Sequence, residues 1–369
     1  MVGCSTEPTP NDGRPRFPLM SFGGGHVLSP LRLVVIAAAN DPMRDSLFAA
    51  AMALPSSQWW RAVSAPFSIS TTATAFTVTG PPIASGTTLA FTDVTAYVQH
   101  AAIDSAGYHT DGKTLYLIYL PPGVGCTGSS CAIYSAFHVP FESTDGLAIV
   151  KRSTTSTIAS MTTVASHEIT EAATDPIYDG WRLVGNFYPW NANPWATDDG
   201  GSFEENGDFC SGTRYIEGGF YYQRVYTNQA VSRGSDPCVP SIPVPYYLAT
   251  TAKDWYSTTA AAVDVPITGW SDGAVADWVV TVGAGPHTSS LAAAGVSLSC
   301  ADSVTIAGTR YCAFNRGRTA TVHVTLPGPG LSKAYFTARV FSFRVGPNGE
   351  RPPAGEDPVH RWIFGVYVP

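Results

Sequence analysis

Charge is scarce in this chain: Asp, Glu, Lys and Arg make up 13% of its 369 residues, and the 21 Lys and Arg are scattered along it. With a formal net charge of -7 and no basic run, it lacks the cationic face on which nucleic-acid binding depends. No stretch approaches the ~20 apolar residues that a helix needs to cross a bilayer. Even Leu31 to Ala39 has only the length of a buried strand. No two cysteines stand in CxxC spacing, which argues against a cysteine zinc cluster. A G-x-S-x-G elbow and a dinucleotide fingerprint are missing, and Gly23-Gly24-Gly25 has neither the lysine nor the helix of a phosphate cradle.

Small and turn-forming residues are abundant, with 35 Gly and 29 Pro beside an apolar fraction of 44%. That composition suits a loop-rich, β-rich secreted protein, and the length suits two domains better than one core. Six of the seven cysteines fall into local pairs, Cys126 with Cys131, Cys210 with Cys238 and Cys300 with Cys312, which favours an oxidising compartment. The seventh, in Val2-Gly3-Cys4-Ser5, looks like the end of a bacterial lipoprotein signal. It is either a lipid-anchored cysteine or a free terminal one.

Along the chain, residues 1–25 read as a flexible Pro/Gly-rich segment. Leu31–Ala37, Thr114–Leu120, Phe137–Val139 and Gly146–Val150 read as strands, Asp41–Met52 and Asp93–Ile103 as helices, and Gln58-Trp59-Trp60 as an anchor of a core or groove. Helical periodicity vanishes after Pro176, and 178–240 is irregular and rich in Gly, Asn, Trp and Tyr, as a functional wall would be. From Tyr246 onward short apolar strands alternate with Gly/Pro/Asn turns. The expectation is an α+β protein, a mixed-sheet zincin-like domain over 26–243 followed by an all-β, immunoglobulin-like sandwich over 247–369.

The segment with the strongest chemical signal is His167-Glu168-Ile169-Thr170-Glu171. It opens like the HExxH helix of zinc peptidases but carries a carboxylate where the second histidine belongs. Ser166 is placed to cap a short helix there. Residues four apart share a helical face, so His167 and Glu171 can offer a nitrogen and an oxygen to one cation, with Glu168 beside them as general base. A third ligand must come from elsewhere. Glu205 and Asp208, on a loop tied by Cys210, lead, with Asp175 and His138 as alternatives. Tyr222 is named as the residue steadying an oxyanion, and Tyr221 and Tyr226 stand equally near in sequence. Zinc is the expected metal, with calcium as the alternative because the donors are rich in oxygen.

A family resemblance rests on these and neighbouring residues. Gly23 to Pro30, Leu115-Tyr116 to Gly123, Ser166-His167-Glu168 with Glu171 and Thr174-Asp175-Pro176, Gly180-Trp181, Glu205 with Asp208 and Cys210, and Tyr226 to Gln229 with Cys238 form one series. In that series residues ~24–240 resemble the Exordium-like, phosphate-induced proteins of plants and related secreted bacterial proteins. The resemblance implies a secreted or wall-associated protein with an HExxE site similar to that of zinc peptidases, and no settled reaction. The chain departs from true metzincins, since Glu171, Thr174 and Ile177 replace their second histidine, glycine and last ligand, and no methionine follows Met161.

Two functions are therefore expected. One is a secreted zinc endopeptidase that hydrolyses protein or peptide substrates through a metal-activated water, with 178–240 as one wall of its cleft; a cleft lined by Trp181, Trp190 and Trp195 suits this function and the next alike. The other is a cell-surface binding module with a structural calcium or a degenerate site, its C-terminal half touching a surface or polysaccharide.

Overall fold

The structure is a computed structural model of the chain and describes residues 15–132, 134–184, 193–197, 203–275, 278–285, 295–306, 308–326, 334–345 and 359–369. It is a mixed α+β fold of several sheets and helices. Cys4 and Trp190 lie outside the described residues.

A five-stranded sheet organises the first half, in the order Thr74–Gly80, Arg32–Ala38, Thr114–Tyr119, Asp145–Val150, Ala136–Phe141. The first four strands run parallel and the last is an antiparallel edge. Both faces are covered, which is why the inner strands read as unbroken apolar runs rather than as alternating ones. Leu33, Val35, Leu117 and Val150 join one core with Trp59, Trp60 and Ile169. Val34, Ile36, Ile118 and Ile149 join the other with Val94 and Val98. On the edge strand the same two-residue alternation sends Phe137 and Phe141 to the second core. His138 therefore faces the opposite side, where the Ile158–Thr174 helix packs.

That helix starts a full two turns before the expected site. Its cap is Thr157, whose side chain accepts from Ser160 N, and not Ser166. Ser166 is inside the helix, where its hydroxyl donates to Thr163 O (2.8 Å) and accepts from Gln223 N (2.7 Å). Thr163, Thr170 and Thr174 likewise return their hydroxyls to carbonyls three or four residues back. These bonds let a Ser/Thr-rich stretch stay helical while buried almost all round.

Part of the expected N-terminal tail is held in place from residue 15 onward. Ser21–Phe22 pairs with Trp181–Arg182, and Gly25 N donates to Asp179 O. A Cβ on Gly25 would lie 1.9 Å from the Asp179 carboxyl, so the glycine run is needed where the chain crosses the turn that ends the site helix. Segment 178–240, expected to be irregular, holds short paired strands, among them Arg214–Glu217 with Phe220–Gln223 and Val225–Tyr226 with Cys238–Val239.

The second half contains two sheets. One has the order Tyr247–Thr251, Ala262–Ser271, Thr319–Thr325, Gly295–Ser299. The other has Trp255–Ser257, His360–Val368, Ala334–Phe343, Trp278–Ala284, Thr309–Phe314, Ser303–Ile306. All neighbours are antiparallel except the Trp255–Ser257 edge, and among the described residues no helix intervenes. Their buried residues belong to the core that also holds Trp59 and Leu33, so apolar packing runs from one half into the other. Phe17, Trp195, Phe209, Tyr226 and Trp362 form the aromatic joint. Among the described residues no helix is long and apolar enough to cross a membrane.

Candidate metal centre

Three elements bring seven titratable groups together. The site helix supplies His167, Glu168 and Glu171, and its C-cap supplies Asp175. The edge strand supplies His138, and the loop before Cys210 supplies Glu205 and Asp208. Two groups of three have donor atoms close enough to hold an ion: His167, Glu171 and Asp208, and His138, Glu168 and Glu171.

In the first group His167 Nε2 stands 3.1 Å from Glu171 Oε1 and 3.6 Å from Asp208 Oδ1. Ligands bound at about 2.0–2.1 Å in a tetrahedron are about 3.3 Å apart, so these spacings suit a zinc-sized ion. The His167 and Asp208 side chains keep 19% and 26% exposure, which leaves this group open to solvent. Glu171 Oε1 is buried, with the His167 ring beside it. Gly207 closes over it: a Cβ there would lie 2.6 Å from Glu171 Oε1 and 2.8 Å from His167 Nδ1. A buried carboxylate oxygen, a borderline nitrogen donor and a cradle that admits only glycine together fit a cation.

The second group lies deeper. His138 Nδ1 is 3.7 Å from Glu168 Oε2 and 3.8 Å from Glu171 Oε2, and its Nε2 is 3.6 Å from Glu205 Oε1. Neither His138 Nε2 nor Glu205 Oε1 has a hydrogen bond. Asp175 is fully buried and accepts from Gly180 N at 2.6 Å, so it shapes the turn after the helix.

Burial and mutual repulsion set the charge state. Burial, then Asp208, push Glu171 up to about 8 against the pull of His167. Burial likewise drives Glu205 well above the usual carboxylate range. Burial alone would lower His138, but Glu205 and Glu168 outweigh it and hold the imidazole at about 9. His167 is raised in the same way, with Glu171 overcoming the effect of burial. Protons thus occupy the space that a cation would neutralise.

Gln223 governs the tautomer of His167. Its Nε2 lies 2.7 Å from Gly207 O and 2.8 Å from His167 Nδ1. In the neutral ring, donating to both leaves Nδ1 an acceptor and puts the imidazole proton on Nε2. Ligation through Nε2 calls for the other tautomer, in which the Gln223 side chain gives up its bond to Gly207 O and moves so that its oxygen accepts from Nδ1–H.

The ligand loop is tied on three sides. Cys210 is disulfide-bonded to Cys238, Asn206 Nδ2 donates to Thr174 Oγ1 at 3.2 Å, and Arg361 Nη2 donates to Asp208 O at 2.7 Å. All three expected disulfides are formed. Replacing Cys210 and Cys238 together by Ser should cost about 3–4 kcal/mol for a loop of this length and weaken metal binding by loosening Asp208. Denaturant unfolding and a metal titration read the two effects separately.

Of the expected residues, His167, Glu168, Glu171, Glu205, Asp208 and the alternatives Asp175 and His138 are gathered at the centre. Tyr222 is not. It is 3% exposed and stacks on Trp59 (4.9 Å) against Leu33 and Ile169, because its strand neighbour Gln223 takes the face towards His167. Tyr226 is also buried, in the aromatic joint. Trp195 is 1% exposed in the same joint, while Trp181 packs tilted against Phe22 and edge-on against Phe67. The tyrosine at the centre is Tyr178, missed from sequence. Its hydroxyl donates to His138 O at 2.9 Å and its backbone adopts a φ of 64°. Gln223, Asn206 and Arg361 were missed as well. Only Gln223 left a signal, since two-residue alternation opposes it to Tyr222.

No protein-family model and no curated protein matches the chain.

Proposed function

We propose that the chain is a metal-dependent hydrolase, a secreted zinc endopeptidase acting on protein or peptide substrates. The observation that carries the reading is the half-open His167–Glu171–Asp208 group with the buried carboxylate of Glu168 beside it on the same helix. A divalent cation there supplies an electrophile for a carbonyl and lowers the pKa of water towards ~7. His167, Glu171 and Asp208 hold the ion, Gln223 fixes the His167 ring, and Glu168 accepts the proton of the attacking water. His138 and Glu205 hold Glu168 and Glu171 from behind. The His138 strand is the edge of the central sheet, a position where an extended peptide can add as a further strand, which favours an amide substrate.

Three disulfides support an oxidising, extracellular setting. The motif series shared with Exordium-like proteins supports the same placement. In this reading the sheet order of the first half belongs to a zincin-like domain and the two later sheets to a sandwich that docks on it.

The test is metal analysis of protein purified without added metal, together with hydrolysis of an unfolded protein. His167→Ala is expected to lose the cation of the open group and at least 10³-fold of the activity, in line with removal of metal-assisted catalysis. Stoichiometric zinc without cleavage of any protein or peptide would keep the site and remove the peptidase. Bound calcium without cleavage would favour a surface-binding module, and a folded protein with no affinity for metal removes both.

A further inference from the structure

We propose that the centre takes two divalent cations bridged by Glu171, an outer one at His167, Glu171 and Asp208 and an inner one at His138, Glu168 and Glu171. The outer position rests on the functional reading above; the inner one is new. The two oxygens of Glu171 serve opposite sides, Oε1 at 3.1 Å from His167 Nε2 and Oε2 at 3.8 Å from His138 Nδ1. A carboxylate presented in this way can join two ions at the ~3.5–4 Å spacing of two-metal hydrolytic centres.

The inner group is more than a cluster of acids. His138 is 6% exposed, and its Nε2 makes no hydrogen bond although it faces Glu205 Oε1, which also makes none. A cation at Nδ1 explains both atoms. It requires a neutral ring with its proton on Nε2, aimed at Glu205, the carboxylate–histidine–metal relay that orients metal-bound imidazoles. Glu205 then orients a ligand rather than acting as one. Glu168 engages the inner ion through Oε2 and keeps its other oxygen to accept a proton.

Each position offers one imidazole nitrogen and two carboxylates, a donor set for zinc or manganese rather than calcium.

The experiment counts ions on the full chain after equilibration with Zn²⁺ and removal of excess, with circular dichroism to check folding. Wild type is expected to hold two per chain. Glu168→Gln and His138→Gln should hold one, and so should Asp208→Asn, while Glu171→Gln should fall below one. Loading wild type with Mn²⁺ gives a readout that needs no variant, a spin-coupled magnetic resonance spectrum from two adjacent ions. One ion in wild type, retained by Glu168→Gln and lost by His167→Ala, with an uncoupled Mn²⁺ spectrum, would overturn the inner site and leave the outer reading standing. His138 would then be a protonated clamp on its carboxylates. No ion in wild type overturns both positions.

Discussion

Replacing Glu168 by Gln is expected to reduce hydrolysis of unfolded protein by about 10²–10⁴-fold, the usual loss when a general base is removed, while the open His167–Glu171–Asp208 position keeps its ion. Glutamine preserves the shape of a side chain that is 4% exposed, so the fold should survive, but its amide cannot take a proton from water. Glu168 contributes no donor to the open group. Asp208→Asn provides the contrast. Asp208 is a member of that group, so the variant should bind metal more weakly and recover activity when metal is added in excess. Added metal should not rescue Glu168→Gln. Activity within tenfold of wild type in that variant would remove Glu168 from the chemistry.

How much of this centre could be read from the sequence follows from what each feature depends on. The inner strands were legible because both faces of the sheet are covered, so residues such as Val34 and Val35 are apolar without alternation. His167, Glu168 and Glu171 were legible because a helix fixes their spacing. The start of that helix was not, because Thr157 and Ser166 are both plausible caps and only tertiary packing makes the Thr-rich segment between them helical. Glu205 and Asp208 were found through their nearness to Cys210, whose disulfide does hold the loop.

His138 was visible as a donor, but its place depends on one strand running antiparallel at the edge, which is a property of topology. Among Tyr221, Tyr222 and Tyr226 the sequence offers no means of choosing, and the parity of a two-strand hairpin turns Tyr222 away from the centre. Trp195 reads locally as a groove residue and is buried because Phe17, Phe209 and Trp362, distant in the chain or across the loop, pack on it. Arg361 reaches the carbonyl of Asp208 across 153 residues, a contact that no local pattern announces.

Removing the metal should make stability fall as pH rises from about 6 to about 9. His138 is held at about 9 in the fold, above its ordinary 6.5, by Glu205 and Glu168 against the effect of burial. Its contribution is complete below 6.5 and is lost as pH climbs through 9. Glu171, raised to about 8 by burial and Asp208, binds a proton in the fold that the unfolded chain has released above 4.5, so its contribution also fades on the way to pH 8. Glu205 and His167 are shifted in the same direction. His360 opposes them on the acid side. Burial lowers it to about 4, so its contribution is complete above 6.5 and is lost as pH falls through 4. The metal-free protein should therefore be most stable in mildly acidic solution. A bound cation replaces the shared protons and binds more tightly as they leave, so the metal-loaded protein should keep its stability over the same range. Melting curves with and without chelator at about pH 6 and about pH 9 should show a gap that widens with pH, on the order of several degrees at the alkaline end. A gap of constant size would mean that protons and cation do not compete for this cluster, and the metal centre would have to be sought elsewhere in the molecule.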